Sequence, residues 1–261
     1  MKSGNVKKNP IAKFFGQSFT VLWSDLRFLR RFWKRTLWTS LMTPLLYLLA
    51  FGVGISSMVE MDGGGSYLAF VIPGIIAITA MTTAYNASGN KLSVDKIFYK
   101  SFDEVIMAPL SIDTVAFGKG MVGVLRGVLA CGLFIILGML MAPSEFTVNW
   151  PFFAALILSL LAFSFMGVAV GVIAKTHQDM STFSSIFIMP MTFLCGTLFD
   201  PAVAPQWLQV FLYSLPLTHS STAMRAAVDS GEVMWWSLAY MLIFAIICYI
   251  IARWQIKKLD F

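Results

Sequence analysis

Two histidines, three cysteines and one arginine set among apolar residues are the side chains of this sequence whose chemistry would be conspicuous, and their spacing excludes most of it. His177 and His219 fall in different loops, and no His-Glu-x-x-His, Cys-x-x-Cys or Gly-x-Ser-x-Gly pattern occurs, so neither a metal centre nor an activated nucleophile is indicated. No Gly-x-x-x-x-Gly-Lys-Ser/Thr loop is present to cradle a nucleotide phosphate. Cys131, Cys195 and Cys248 each sit inside an apolar run and are expected as small core residues without disulfides. No catalytic, metal-binding or cofactor-binding residue is expected on this chain. Proton- or cation-coupled transport would need carboxylates inside the apolar runs, and apart from edge residues such as Asp113 the sequence shows none.

Arg126 is the ionisable group set deepest, with Lys119 two helical turns before it. If its helix begins near Asp113, Arg126 lies roughly 20 Å along it and must face the protein interior, a polar cavity or an acidic partner. If the helix begins later, Arg126 snorkels to the inner interface, since residues 127–144 alone nearly span a bilayer. Both readings stand at this point. Residues 91–112 differ in character: charges alternate with Ile97, Phe98, Phe102, Val105 and Ile106 at helical spacing, and Ala108-Pro109 ends the pattern. A short amphipathic helix over 91–108 either coats the membrane or docks into a groove on a soluble partner.

The elements that must position these residues are six runs free of Asp, Glu, Lys and Arg: 36–59, 63–90, 127–144, 146–174, 180–199 and 233–252. Each is near or above the roughly 20 residues that a helix needs to cross the hydrocarbon. Hydrophobic residues make up 58% of the chain and charged ones 12%, against about 25% charged in soluble domains, so lipid is the main solvent. The net charge of +6 does not indicate nucleic acid, because nine of the nineteen Lys and Arg precede the first run and the rest concentrate in alternate loops. That asymmetry places both termini in the cytoplasm. Residues 1–10 are polar and 11–33 are interrupted by charge, so no cleavable signal peptide is expected.

Residues 11–35 mix Phe14, Phe19, Trp23, Leu26 and Trp33 with basic residues, the pattern of an amphipathic helix in the cytoplasmic interface. Pro44, Pro73 and Pro190 predict kinks in runs one, two and five. The apolar stretch after run five is too short for a seventh span, with only ten residues between Pro205 and Pro216. It is expected to be a re-entrant or interfacial helical hairpin over 200–231 on the outer face. Its helices fall near 206–215 and 218–228, with Thr218 or Ser220 as a cap and Gly231 as the stop. Trp150, Trp235 and Trp236, with Trp33 and Trp38 at the other boundary, match interfacial aromatic belts.

Four local motifs then occur in order: Phe70-Val-Ile-Pro-Gly74, Phe102-Asp-Glu-Val-Ile-Met-Ala-Pro109, Ala174-Lys-Thr-His-Gln-Asp179, and Phe193-Leu-Cys-Gly-Thr-Leu-Phe199 followed by Leu215-Pro-Leu-Thr-His219 and Arg225. In this order, on six apolar runs, the chain resembles the permease subunits of type-2 ABC exporters, a group that includes nodulation-factor, drug-resistance and polysaccharide export permeases. Cys195, where many relatives have Ser or Gly, and Asp200, where Pro is common, depart from the pattern.

The resemblance implies a bacterial inner-membrane permease, most simply a homodimer, above two copies of a separate ABC ATP-binding subunit that carries ATP and Mg. It implies that Phe102, Asp103, Glu104 and Met107 belong to a coupling helix in the ATPase groove, with Lys175 and Asp179 in a smaller second contact. It implies an all-α polytopic fold: a 1–35 amphipathic helix, then one 36–261 transmembrane domain whose hairpin closes the outer mouth. Membrane lipid is the only other expected partner. The translocation route is expected along spans one, two and five, with Thr79, Thr83, Tyr85, Met189, Phe193 and Phe199 holding an amphiphilic, lipid-linked or drug-like substrate. A secondary transporter, a channel or a non-transporting scaffold are the rival readings.

Overall fold

The computed structural model describes residues 10–54, 67–143, 146–197 and 204–259, and every regular element among them is helical. Helix α1 (Pro10–Tyr47) continues into a π-helical turn, Leu48–Val53. The expected break between an interfacial helix and a first span is not there. No proline or glycine stands at 33–36, and Lys34 and Arg35 are good helix formers, so nothing local stops the helix. Its apolar part is Trp38–Gly52; residues 55–59 of the predicted run lie outside the described residues.

Helix α2 (Tyr67–Ile97) runs seven residues past the predicted end of its span. Lys100 then takes a left-handed φ of 51°, and α3 (Ser101–Met107) is a separate short helix ended by an extended Ala108 before Pro109. The single amphipathic helix expected over 91–108 is therefore two pieces. Its first part is polar because it carries a buried ionic face, described below.

Helix α4 (Ile112–Met141) begins early. The Ser111 hydroxyl accepts the Thr114 N–H, and Asp113 in the first turn suits the helix dipole. Helix α5 (Trp150–Ile173) starts with Pro151 in its first turn, where a missing N–H costs nothing. The fifth apolar run is helical but interrupted: α6 (His177–Phe183), a π turn (Ser184–Ile188) and α7 (Met189–Leu194). Pro190 cannot donate to the carbonyl four residues before it, and the π turn ahead of it absorbs that mismatch.

Helices α8 (Gln206–Tyr213) and α9 (Pro216–Asp229) fall where two short helices are expected, and α10 (Trp235–Leu259) follows. Helix α9 opens with Pro216 in its first turn, two residues before Thr218 and four before Ser220, the expected caps. Thr218 instead donates its hydroxyl to the Leu212 carbonyl at 2.6 Å, and Ser220 pairs with Ser159 of α5 at 2.6 Å. Gly231, at φ 69°, follows the end of α9 as expected.

Four stretches, Phe70–Ile97, Ile112–Met141, Trp150–Ile173 and Trp235–Leu259, are long and apolar enough to cross a membrane, which makes this a multi-pass membrane protein. Two of the six predicted runs do not meet that measure among the described residues, the one over Trp38–Gly52 being short and the fifth being divided. The bundle is layered around α2 and α5, whose most apolar stretches are 83% and 72% buried against 33% for α4 and 28% for α10. The outward faces of α4 and α10 carry Leu129, Ile136, Leu140, Ile243, Ile246 and Ile250, an exposed apolar surface suited to lipid.

Small residues let α2 and α5 close on each other. A Cβ at Gly167 would lie 2.3 Å from the Ser88 hydroxyl and 2.6 Å from the Tyr85 carbonyl, so a larger residue would push the helices apart. Ser88 then donates across the seam to the Ser164 carbonyl at 2.8 Å.

Candidate functional site

A groove of about 500 Å³ lies between α1, α2 and the divided α6–α7 stretch. Pro44 lines it, and Ile188, Met189 and Thr192, on either side of Pro190, line the facing stretch. Most of its lining residues are Ser, Thr or Asn, and none is Asp, Glu, Lys, Arg or His. At one end Tyr47 and Phe193 meet edge to face, their ring centroids 6.1 Å apart, beside Met189. Asn86, Ser181 and Ser185 line the other end. Tyr85 stacks on Phe183 at 5.9 Å, which fixes that end of α2 against α6.

Of the six residues expected along the route, Thr83, Met189 and Phe193 line the groove. Thr79 and Tyr85 are not among its lining residues: both are fully buried, and the Thr79 hydroxyl donates to its own helix at the Ile75 carbonyl. Phe199 lies outside the described residues.

Arg225 of α9 joins the first and the last of the four sequence motifs. Its Nε donates to the Phe70 carbonyl at 3.1 Å, its two terminal nitrogens donate to the Gly196 and Thr197 carbonyls, and its guanidinium sits 3.6 Å from the Phe70 ring centroid. A buried guanidinium is satisfied here by backbone dipoles and an aromatic face. The close fit depends on Gly74, where a Cβ would fall 2.2 Å from the Thr197 carbonyl oxygen. The start of α2, the turn after α7 and the α8–α9 hairpin are thereby tied at one point. Arg225 stands in the sequence as the end of the fourth motif, but its partners are not legible there.

At the opposite end of α2 the structure holds a charge cluster that the sequence reading missed. Lys119 of α4 reaches Asp25 of α1 at 2.9 Å and Asp95 of α2 at 3.1 Å. Lys91 pairs with Asp95 one turn away on α2 and lies 3.6 Å from Asp25. Asp25, Asp95 and Lys119 are each about 95% buried, so two anions and two cations neutralise one another away from water. Two signals pointed to it: the i,i+4 spacing of Lys91 and Asp95, and Asp25 as the one acidic residue before Glu60. These carboxylates are ion-paired with Lys91 and Lys119.

The expected coupling residues divide. Phe102 is fully buried among Leu92, Val115, Val172 and Ile256 and anchors α3 to the bundle. Asp103, Glu104 and Met107 are exposed, Met107 at 86%, beside exposed Phe98 and Tyr99. Phe102 thus faces into the bundle, away from the exposed side of α3. Helical spacing turns 102, 105 and 106 inward and 103, 104 and 107 outward.

Lys175 and Asp179 are exposed at the start of α6. The Lys175 and Thr176 N–H groups donate to the Asp179 carboxylate at 2.9 and 3.0 Å, and the Thr176 hydroxyl accepts the Asp179 N–H, a complete capping box. The Lys175 and Thr176 backbone donors hold the Asp179 carboxyl below its ordinary range. Arg126 lies 14 residues into α4, about 21 Å along it, half-buried, with its Nε enclosed and unpartnered among the described residues. Of the two sequence readings, the helix that begins near Asp113 is the one observed.

Helices that cross a membrane around a kinked, uncharged groove define a membrane transport permease. The chain belongs to the ABC-2 type transporter family, whose pattern matches residues 16–228. It is similar to the inner membrane transport permease YadH of Escherichia coli, at 29% identity over 196 residues, 75% of this chain and 76% of that protein. It is also similar to nodulation protein J of Bradyrhizobium diazoefficiens, at 25% identity over 197 residues, 74% of this chain and 75% of that protein. Nodulation protein J of Rhizobium leguminosarum bv. trifolii is 27% identical over 203 residues, with 74% and 75% covered.

Proposed function

We propose that this chain is the membrane permease subunit of an ATP-driven exporter and that the α1, α2 and α6–α7 groove is its translocation route. The observation that carries the reading is the groove itself, which joins two proline-kinked stretches to α2 and has no charged lining residue. Two copies of the chain stand in an inner membrane over two copies of a separate ATP-binding subunit. ATP and its Mg bind on that partner chain. Six apolar runs cross the bilayer, the short and divided ones included, with both termini cytoplasmic and the α8–α9 hairpin on the outer side.

The exposed Phe98, Tyr99, Asp103, Glu104 and Met107 form the face that seats in the ATP-binding subunit, and Lys175 and Asp179 add a smaller contact. Arg225 holds the outer end together while the Asp25–Lys91–Asp95–Lys119 cluster ties α1 to α2 beside α3. Motion imposed on α3 is thereby passed to α1, one wall of the groove. The substrate is an amphiphile, with its apolar part toward Tyr47 and Phe193.

Reconstituting the chain with its ATP-binding subunit in proteoliposomes tests the proposal. Glu104→Arg is expected to leave the permease inserted and folded but to weaken ATPase association and transport-stimulated hydrolysis. Met189→Trp is expected to block efflux without loss of association. Full efflux in Met189→Trp would remove the groove as the route, and full coupling in Glu104→Arg would remove α3 as the docking element.

A further inference from the structure

A second concavity, of about 270 Å³, opens where α4, α5 and α10 meet, away from the groove of α1, α2 and α6–α7. Leu242 and Ile246 of α10 line it and are each about half exposed, so it communicates with the lipid-facing surface. Phe117 of α4 and Phe165 of α5 lie within it with ring centroids 6.3 Å apart, and Phe165 meets Tyr249 of α10 edge to face at 5.2 Å. Ala245 contributes only a Cβ between the levels of Leu242 and Tyr249, which leaves room there. Every lining residue is apolar or aromatic, so a hydrocarbon chain gains contacts in this space and water does not.

Along α10 the residues Leu242, Ile246, Tyr249, Arg253 and Lys257 recur at spacings of three or four and share one stripe. That stripe turns from apolar to cationic at Arg253, about 16 Å along the helix from Leu242 and close to the roughly 15 Å of hydrocarbon in one leaflet. Exposed Trp254 and Lys258, with the Lys258 Nζ 3.4 Å from the indole centroid, mark the same level as a membrane interface. The Asp113 carboxylate accepts from the Tyr249 hydroxyl at 3.2 Å and from the Arg253 Nε at 2.9 Å. Arg253 is thereby held by its Nε while its side chain stays 57% exposed, one turn from exposed Lys257. One carboxylate against two cations leaves this end of the stripe positive. We infer that the concavity binds one anionic phospholipid of the leaflet at the C-terminal end of α10. Its acyl chain lies along Leu242, Ala245 and Ile246 against the Phe117 and Phe165 rings, and its phosphate accepts from Arg253 and Lys257. The inference rests on α10 crossing the membrane and not on the transport route.

The test places the full permease in phosphatidylcholine nanodiscs doped with phosphatidylglycerol or phosphatidylcholine that carries a photoreactive group in mid-chain, and maps the labelled residues by mass spectrometry. Labelling by the phosphatidylglycerol probe is expected to concentrate on residues 242–249 and on Phe117 and Phe165, at least about tenfold above the phosphatidylcholine probe at the same mole fraction. Lys257→Gln, on an exposed side chain, is expected to lower that preference by about fivefold, and Arg253→Gln by as much or more. Ala245→Leu fills the concavity and is expected to abolish the concentrated labelling, whereas Ile250→Trp, outside the lining, is expected to leave it unchanged. Even labelling of the outward faces of α4 and α10 would mean ordinary boundary lipid only and overturns the inference. Equal yields from the two probes, or a preference unaltered in both Lys257→Gln and Arg253→Gln, overturns the anionic site. Absence of labelling in a permease whose dimer is lost in Ala245→Leu assigns the concavity to a second copy of the chain and overturns it as well.

Discussion

Replacing Lys119 by Met keeps the length of the side chain in α4 and deletes the charge that Asp25 and Asp95 share. The two carboxylates contact the same Nζ at 2.9 and 3.1 Å, so they lie at most about 6 Å apart. At an effective dielectric constant of about 20, two like charges at that separation repel by roughly 3 kcal/mol, and Lys91 relieves only part of it. Removing one member of a buried ionic cluster costs about 3–5 kcal/mol in comparable sites, since the remaining charge stays buried and uncompensated. We expect Lys119→Met to destabilise the permease by that amount. Lys119→Met with Asp25→Asn restores neutrality around Lys91 and Asp95 and is expected to recover about half of the loss or more. Equilibrium unfolding in detergent and SDS mixtures, followed by tryptophan fluorescence, reads both variants. A single mutant within about 1 kcal/mol of wild type, or a double mutant no more stable than the single, would refute the reasoning.

Phe102→Ala is expected to lower stability by about 3–5 kcal/mol in the same unfolding assay, because it empties a fully buried ring site beneath α3; an unchanged unfolding midpoint would place Phe102 back on the docking face. Gly74→Ala is expected to impair folded yield more than Gly132→Ala, since a Cβ meets the Thr197 carbonyl at 2.2 Å in the first case and has open space in the second; expression and monodispersity in detergent decide it. The capping contribution of Asp179 is present above the ordinary carboxylate range and is lost as pH falls through its lowered value, since its folded-state carboxyl is the more acidic. Hydrogen exchange corrected for intrinsic rates should show the Lys175 and Thr176 amides losing protection at a pH below that value, and losing it at neutral pH in Asp179→Asn.

The membrane class, the family motifs and the hairpin helices were legible in the sequence for a shared reason. Transfer of a charge-free run into lipid depends on composition alone, and the limits of α8 and α9 follow from local backbone sterics at Pro205, Pro216 and Gly231. The tertiary structure decided which way each polar or aromatic face turns. Residues 91–97 look like a surface helix until Asp25 and Lys119 are beside them, and those two residues are 94 positions apart in the chain. Phe102 reads as a docking residue until α4, α5 and α10 close around it. Thr79 and Thr83 are equivalent in type and, one turn apart, share a face of α2, yet only Thr83 lines the groove, because what packs over the helix differs at the two levels. Burial, ion pairing and access belong to pairs of surfaces, and the amino-acid sequence of one helix carries only half of each pair.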